Sequence, residues 1–156
     1  AVNVAAMLLV FLAFTAMANA MLGWLGQKVL GKPLTLEQLL GYVFAPLAWV
    51  MGVPAADVTK VGSLLGQKTV LNEFVAYSTM SESFKADPGY LTERGRMIAS
   101  YALCGFANFG SIGIQIGGYS SLAPDRRHDL SRLALRAMIG GLLTTCLVAC
   151  VAGILL

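Results

Sequence analysis

The side chains able to do chemistry stand in two short stretches, GQKTVLNEFVAY (66–77) and GFANFGSIG (105–113). The first sets Lys68, Asn72 and Glu73 into a strongly apolar neighbourhood, and the second places Asn108 and Ser111 among glycines and phenylalanines. A carboxylate near the middle of a bilayer costs at least about 2.5–3.5 kcal/mol, so it normally faces a cavity and has a partner. Glu73 has three uses open to it there: accepting hydrogen bonds from substrate hydroxyls, carrying a proton, or pairing with Lys68 to hold its segment together. Lys68 and Glu73 stand five positions apart, a poor spacing for a same-face helical pair, which favours the ligand role.

Composition identifies the medium around these residues. The chain has 156 residues, 57% hydrophobic and 12% charged, with a mean hydropathy of +0.73. Soluble domains carry about 25% charged residues. Residues 1–27, 97–124 and 137–156 hold no charge, and about 20 apolar helical residues cross a bilayer. The reading is an all-α polytopic membrane protein. A secretory signal fits the first run poorly, because it lacks a basic leading region and stays apolar to Trp24.

Five segments follow. Residues 1–31 form a long transmembrane helix in which Asn3 and Asn19 face other helices. Residues 34–52, interrupted by Pro46, suit an interfacial helix. Residues 54–85 have two short apolar arms around a polar centre, the pattern of a re-entrant hairpin, whose irregular backbone survives at membrane depth only where protein or a water-filled cavity satisfies it. A surface amphipathic helix is the alternative for that segment. Residues 89–123 form a discontinuous transmembrane helix: Gly105, Asn108, Gly110, Ser111 and Gly113 at its centre all weaken a continuous one. Broken helices at the midplane are where secondary transporters place substrate and ion sites. A close-packing face at Gly113 and Gly117 explains the glycines alone. Residues 129–156 form a final spanning helix.

Several other readings fail on spacing. GSLLGQKT is not a phosphate loop, because Gln67 separates Gly66 from Lys68 and no strand pattern precedes it. No nucleophile elbow, paired-histidine motif or cysteine cluster occurs, so an enzyme is not expected and no metal site is expected in this chain. Cys104, Cys146 and Cys150 lie in apolar segments and read as packing or lipid-facing residues. His128 reads as a solvated side chain. The basic excess gathers around one short connection (Arg126, Arg127, Arg132, Arg136), which by the positive-inside bias makes the 124–131 loop cytoplasmic and the C-terminus external in a plasma or inner membrane. No nucleic-acid partner is implied.

Together the two stretches resemble the concentrative nucleoside transporter family. GQKTVLNEFVAY is similar to that family's signature of a small residue, x-K-x-x-x-N-E-F-V-A and an aromatic, and FANF followed by serine is similar to its seventh-helix break. The resemblance implies one half of an inverted-repeat transporter core: the sixth scaffold helix, an interfacial helix, the second hairpin, and the seventh and eighth helices of a homotrimer. It implies that Glu73, Asn108 and Ser111 contact the ribose of a uridine-like nucleoside, that Phe106 lines the pocket, and that Asn72, with Lys68, stabilises the hairpin tip. Vicinal hydroxyls both donate and accept, which a carboxylate and an amide read together. Replacing Glu73 or Asn108 by alanine is therefore expected to abolish uptake but not membrane insertion. The coupling ion is Na+, or H+, with sodium favoured by FANFGSIGI, and its ligands are expected outside this chain. Family members are longer than this chain, and the first hairpin and fourth helix fall outside it. The alternative function is a non-transporting membrane subunit or nucleoside-binding sensor.

Overall fold

The computed structural model describes residues 2–156; the side chains of 2–8, 10–12, 30 and 121, and with them Asn3, lie outside the description. The described chain is helical throughout: α1 (Val2–Leu30), α2 (Leu36–Val50), α3 (Val58–Val70), α4 (Glu73–Ala86), α5 (Glu93–Leu103), α6 (Phe109–Leu122), a 3-10 turn (Pro124–Arg126) and α7 (Arg127–Leu155).

Each helix end has a local cause. Gly31, at φ +69°, turns the chain out of α1. Thr35 and Gln38 form a reciprocal capping box that starts α2, leaving fewer orphan N–H groups in its first turn. Pro46 sits inside α2 without ending it. The helix instead stops where Gly52 (φ +85°) donates to Trp49 O and Val53 donates to Ala48 O, the paired bonds of a Schellman ending.

α2 and α3 pack backbone against backbone. A Cβ on Gly62 would lie 2.5 Å from Gly41 O, and one on Gly66 would lie 2.8 Å from Leu40 Cβ. The pairing of 41 with 62 and of 37 with 66 makes the two helices antiparallel. α3 is the centre of the core. Its Val61, Leu64 and Leu65 join Ala48 of α2 and its C-cap Met51, Ala76 and Met80 of α4, Ile98, Ala102 and Leu103 of α5, and Met138, Leu142, Cys146 and Ala149 of α7.

One end of the molecule is closed by polar bonds to backbone. Arg94 Nε donates to Gly52 O at 3.2 Å and its Nη2 to Gly153 O at 2.5 Å, which ties the ends of α2 and α7 to the start of α5. Asp57, only 2% exposed, accepts from Thr92 N and Thr92 Oγ1 at 2.9 and 2.6 Å. On α1, Asn19 reaches α2: Nδ2 donates to the Glu37 carboxylate at 3.0 and 3.1 Å, and Oδ1 accepts from Leu36 N at 2.7 Å.

The basic connection expected as a loop over 124–131 is mostly helical. The 3-10 turn runs directly into α7, where Arg126 pairs with Asp129 at 2.8 Å and Ser131 Oγ bonds back to Arg127 O. His128 lies exposed in that first turn. α7 with its 3-10 turn, Pro124–Leu155, is long and apolar enough to cross a membrane. Leu143, Leu147, Val151 and Ile154 on it are exposed, as are Phe14, Met17, Met21 and Trp24 on α1.

Candidate functional site

Two helix starts meet at a partly buried contact. Between α3 and α4 the chain breaks at Leu71 and Asn72. Asn72 takes an extended conformation, and its Oδ1 accepts from Val75 N at 2.9 Å, capping α4. Glu73 is the first residue of α4 and half-buried. Its carboxylate therefore stands at a helix N-terminus, where the macrodipole favours negative charge.

The second start follows the break between α5 and α6, residues 104–108. Asn108 Oδ1 accepts from Ser111 N at 2.7 Å, and the Asn108 backbone N–H donates to Ser111 Oγ at 3.3 Å. Ser111 Oγ donates onward to Asn108 O at 2.6 Å. Both side chains are buried, at 2% and 4% exposure. Because the cap consumes Oδ1, the amide orientation is fixed and Nδ2 points outward. Nδ2 donates to Glu73 Oε2 at 3.3 Å, across 35 residues of sequence.

Phe106, in the break, is 54% exposed. With Ser111, Gln115, Met138 and Gly141 it lines a cavity of about 240 Å³ between α6 and α7. A Cβ on Gly117 would meet nothing within 4 Å, so a close-packing face gains no partner there among the described residues.

Lys68 does not pair with Glu73. Its ammonium is turned into the core, where it donates to Ala102 O at 2.8 Å and Thr145 Oγ1 at 3.0 Å. Of the expected site residues, the fold thus joins Glu73, Asn108 and Ser111 in one hydrogen-bonded set. Phe106 stands beside that set, Asn72 caps below Glu73, and Lys68 goes elsewhere. Sequence reasoning missed Gln115 and Thr145. Gln115 is an isolated amide in an apolar helix, a signal of the same kind as Asn108. Thr145 carries no signal, since a threonine in a helix is ordinarily satisfied by its own backbone.

A family model described as the C-terminus of Na+ dependent nucleoside transporters matches residues 1–153. The chain belongs to this family. Among its relatives, an uncharacterized transporter, YutK, of Bacillus subtilis is 48% identical over 98% of this chain and 37% of its own length. The sodium/nucleoside cotransporter 1 of Rattus norvegicus is 46% identical over 98% of this chain and 25% of its own. Among solved structures, CNTnw in an inward-facing substrate-bound state superposes with a TM-score of 0.84 at 45% identity, covering 97% of this chain and 37% of that one. A single-substitution variant of CNTnw in its intermediate 3 state gives 0.91 at 44% identity, over 99% and 38%. This nucleoside-transporter-family chain therefore spans well under half the length of the relatives it matches.

Proposed function

We propose that this chain forms the C-terminal half of a sodium-coupled nucleoside importer working by alternating access. The observation that carries the reading is the Asn108–Glu73 hydrogen bond at 3.3 Å, made between two capped helix starts in a chain of this family. Glu73 supplies an acceptor for ribose hydroxyls. The second Nδ2 hydrogen of Asn108 supplies a donor, and Phe106 forms an apolar wall beside them. A site built to hydrogen-bond a hydroxyl rejects the analogue lacking it, because its own buried groups are left unpaired.

In this reading α3 and α4 are the arms of a re-entrant hairpin, α5 and α6 the halves of a discontinuous transmembrane helix, and α1 and α7 spanning helices. α2 lies at the interface, and the assembly is a homotrimer in a plasma or inner membrane. The exposed apolar residues of α1 and α7 support immersion in lipid. The basic residues 126–136 support a cytoplasmic start of α7 and an external C-terminus. Sodium as the coupling ion is supported by the names of the family model and of the rat relative. One sodium ion entering across 100 mV supplies about 2.3 kcal/mol. A tenfold gradient adds about 1.4 kcal/mol, and the sum sustains accumulation of several hundred-fold.

The test is uridine uptake by the full-length protein in proteoliposomes under separately imposed sodium and proton gradients. Accumulation driven by sodium alone is expected. Equilibrium binding of uridine with no entry into the liposomes under either gradient would overturn the transport reading in favour of a binding subunit.

A further inference from the structure

Lys68 is the largest fully buried side chain among the described residues, at 0% exposure. A buried charge needs compensation, usually from an opposite charge. Among the described residues the ion pair within 4.0 Å is Arg126–Asp129, so no carboxylate is in contact with this ammonium, and Glu73 acts on it only from a longer distance. Oxygens of another kind surround it instead.

Ala102 O, 2.8 Å away, belongs to the last turn of α5 (Glu93–Leu103). The final carbonyls of a helix lack intrahelical partners and carry partial negative charge, which a cation complements. Thr145 Oγ1, at 3.0 Å, donates its own proton to Leu142 O at 2.8 Å and so presents a lone pair to the ammonium. Both are neutral oxygens with a lone pair free to accept from the ammonium, which has three donors and no acceptor. The chain makes room for this arrangement at Gly105. A Cβ there would run into the Thr145 side chain and lie 3.5 Å from Lys68 Nζ. One ammonium thus joins the hairpin helix α3, the end of α5 and the middle of α7 at the point where the broken helix leaves helical geometry. Six residues on from Ala102 comes Asn108.

We propose that the Lys68 ammonium is a fixed cation, tethered to α3, that sets the break between α5 and α6 and through it the placement of Asn108. It is a positioning residue for ribose recognition and not a ligand. This inference rests on the reading of Glu73 and Asn108 as ribose ligands.

The test compares kcat/KM for uridine and for 2′,3′-dideoxyuridine, using sodium-driven uptake by the full-length protein in proteoliposomes. The variants are Lys68→Met, Thr145→Val and Asn108→Ser. Serine keeps a capping oxygen for α6 but has no Nδ2 donor. Asn108→Ser is expected to collapse the preference for uridine, and an unchanged preference would overturn the site reading itself, before Lys68 enters. Lys68→Met is expected to lower kcat/KM for uridine by about tenfold or more and to change that for dideoxyuridine by less than about threefold. Thr145→Val is expected to fall between wild type and Lys68→Met. Adding it to Lys68→Met is expected to lower the preference no further. A Lys68→Met protein that loses both substrates in equal proportion would mark the lysine as structural only and overturn the inference. If Lys68→Met does not assemble, Thr145→Val decides: a wild-type preference for uridine overturns the inference.

Discussion

Asn108 uses the two ends of one amide for two purposes. Its oxygen caps α6 through Ser111 N, and its nitrogen reaches Glu73. Alanine at 108 therefore removes a cap, worth about 1 kcal/mol, as well as a contact at the site. Serine separates the two losses. Asn72 has only the capping role in this geometry. Asn72→Ala is expected to lower stability by about 1 kcal/mol, read as an earlier thermal transition, with Asn72→Asp recovering most of it. An Asn72→Ala protein as stable as wild type but unable to take up uridine would instead put Asn72 among the ligands. Glu73 and Asn108 were legible in the sequence because a carboxylate and an amide stand out against apolar surroundings. The partners of Lys68 were not. They are Ala102 O, 34 residues away in sequence, and Thr145, 77 residues away, tertiary contacts with no local signature.

At the scale of the element, the glycines carry the packing. Gly41, Gly62 and Gly66 let α2 and α3 touch along their backbones, which holds the α3–α4 turn, and hence Glu73, at a fixed height. A side chain at Gly62 would strike Gly41 O and Ala45 N, both rigid backbone atoms. Gly62→Val is expected to cost about 1–3 kcal/mol through overpacking, measured as a lower melting temperature of the purified protein in detergent. A Gly62→Ala protein with unchanged stability would show that the seam opens freely. The break at 104–108 was legible, since glycines and asparagine in the middle of an apolar run oppose helix. The helical start of α7 was not, because PDRRHD reads as turn and charge. Its local marks are Pro124 at the start of the 3-10 turn and an exposed pairing of Arg126 with Asp129, a contact that composition does not reveal.

At the scale of the whole molecule, α1 and α7 expose apolar faces, and Arg94 bonds one end together; in the proposed function those faces meet lipid. The proposed topology makes a simple expectation. In a background where Cys104, Cys146 and Cys150 are replaced by serine or alanine, a cysteine in place of Leu156 is expected to react with a membrane-impermeant maleimide added to intact cells. A cysteine in place of His128 is expected to react only after permeabilisation. The opposite pattern would invert the orientation read from the basic residues. All-helical architecture and family were legible from hydrophobic runs and two polar stretches. The rest of the proposed binding cavity was not, because this chain spans 37% of the length of its Bacillus relative. The central claim is that Glu73 and Asn108 together bind the nucleoside that is moved. Its most direct test is the initial rate of sodium-driven uridine uptake by full-length Glu73→Gln protein in proteoliposomes, normalised to reconstituted protein. The account predicts a fall of at least about 100-fold with normal assembly and insertion; uptake at the wild-type rate would contradict it.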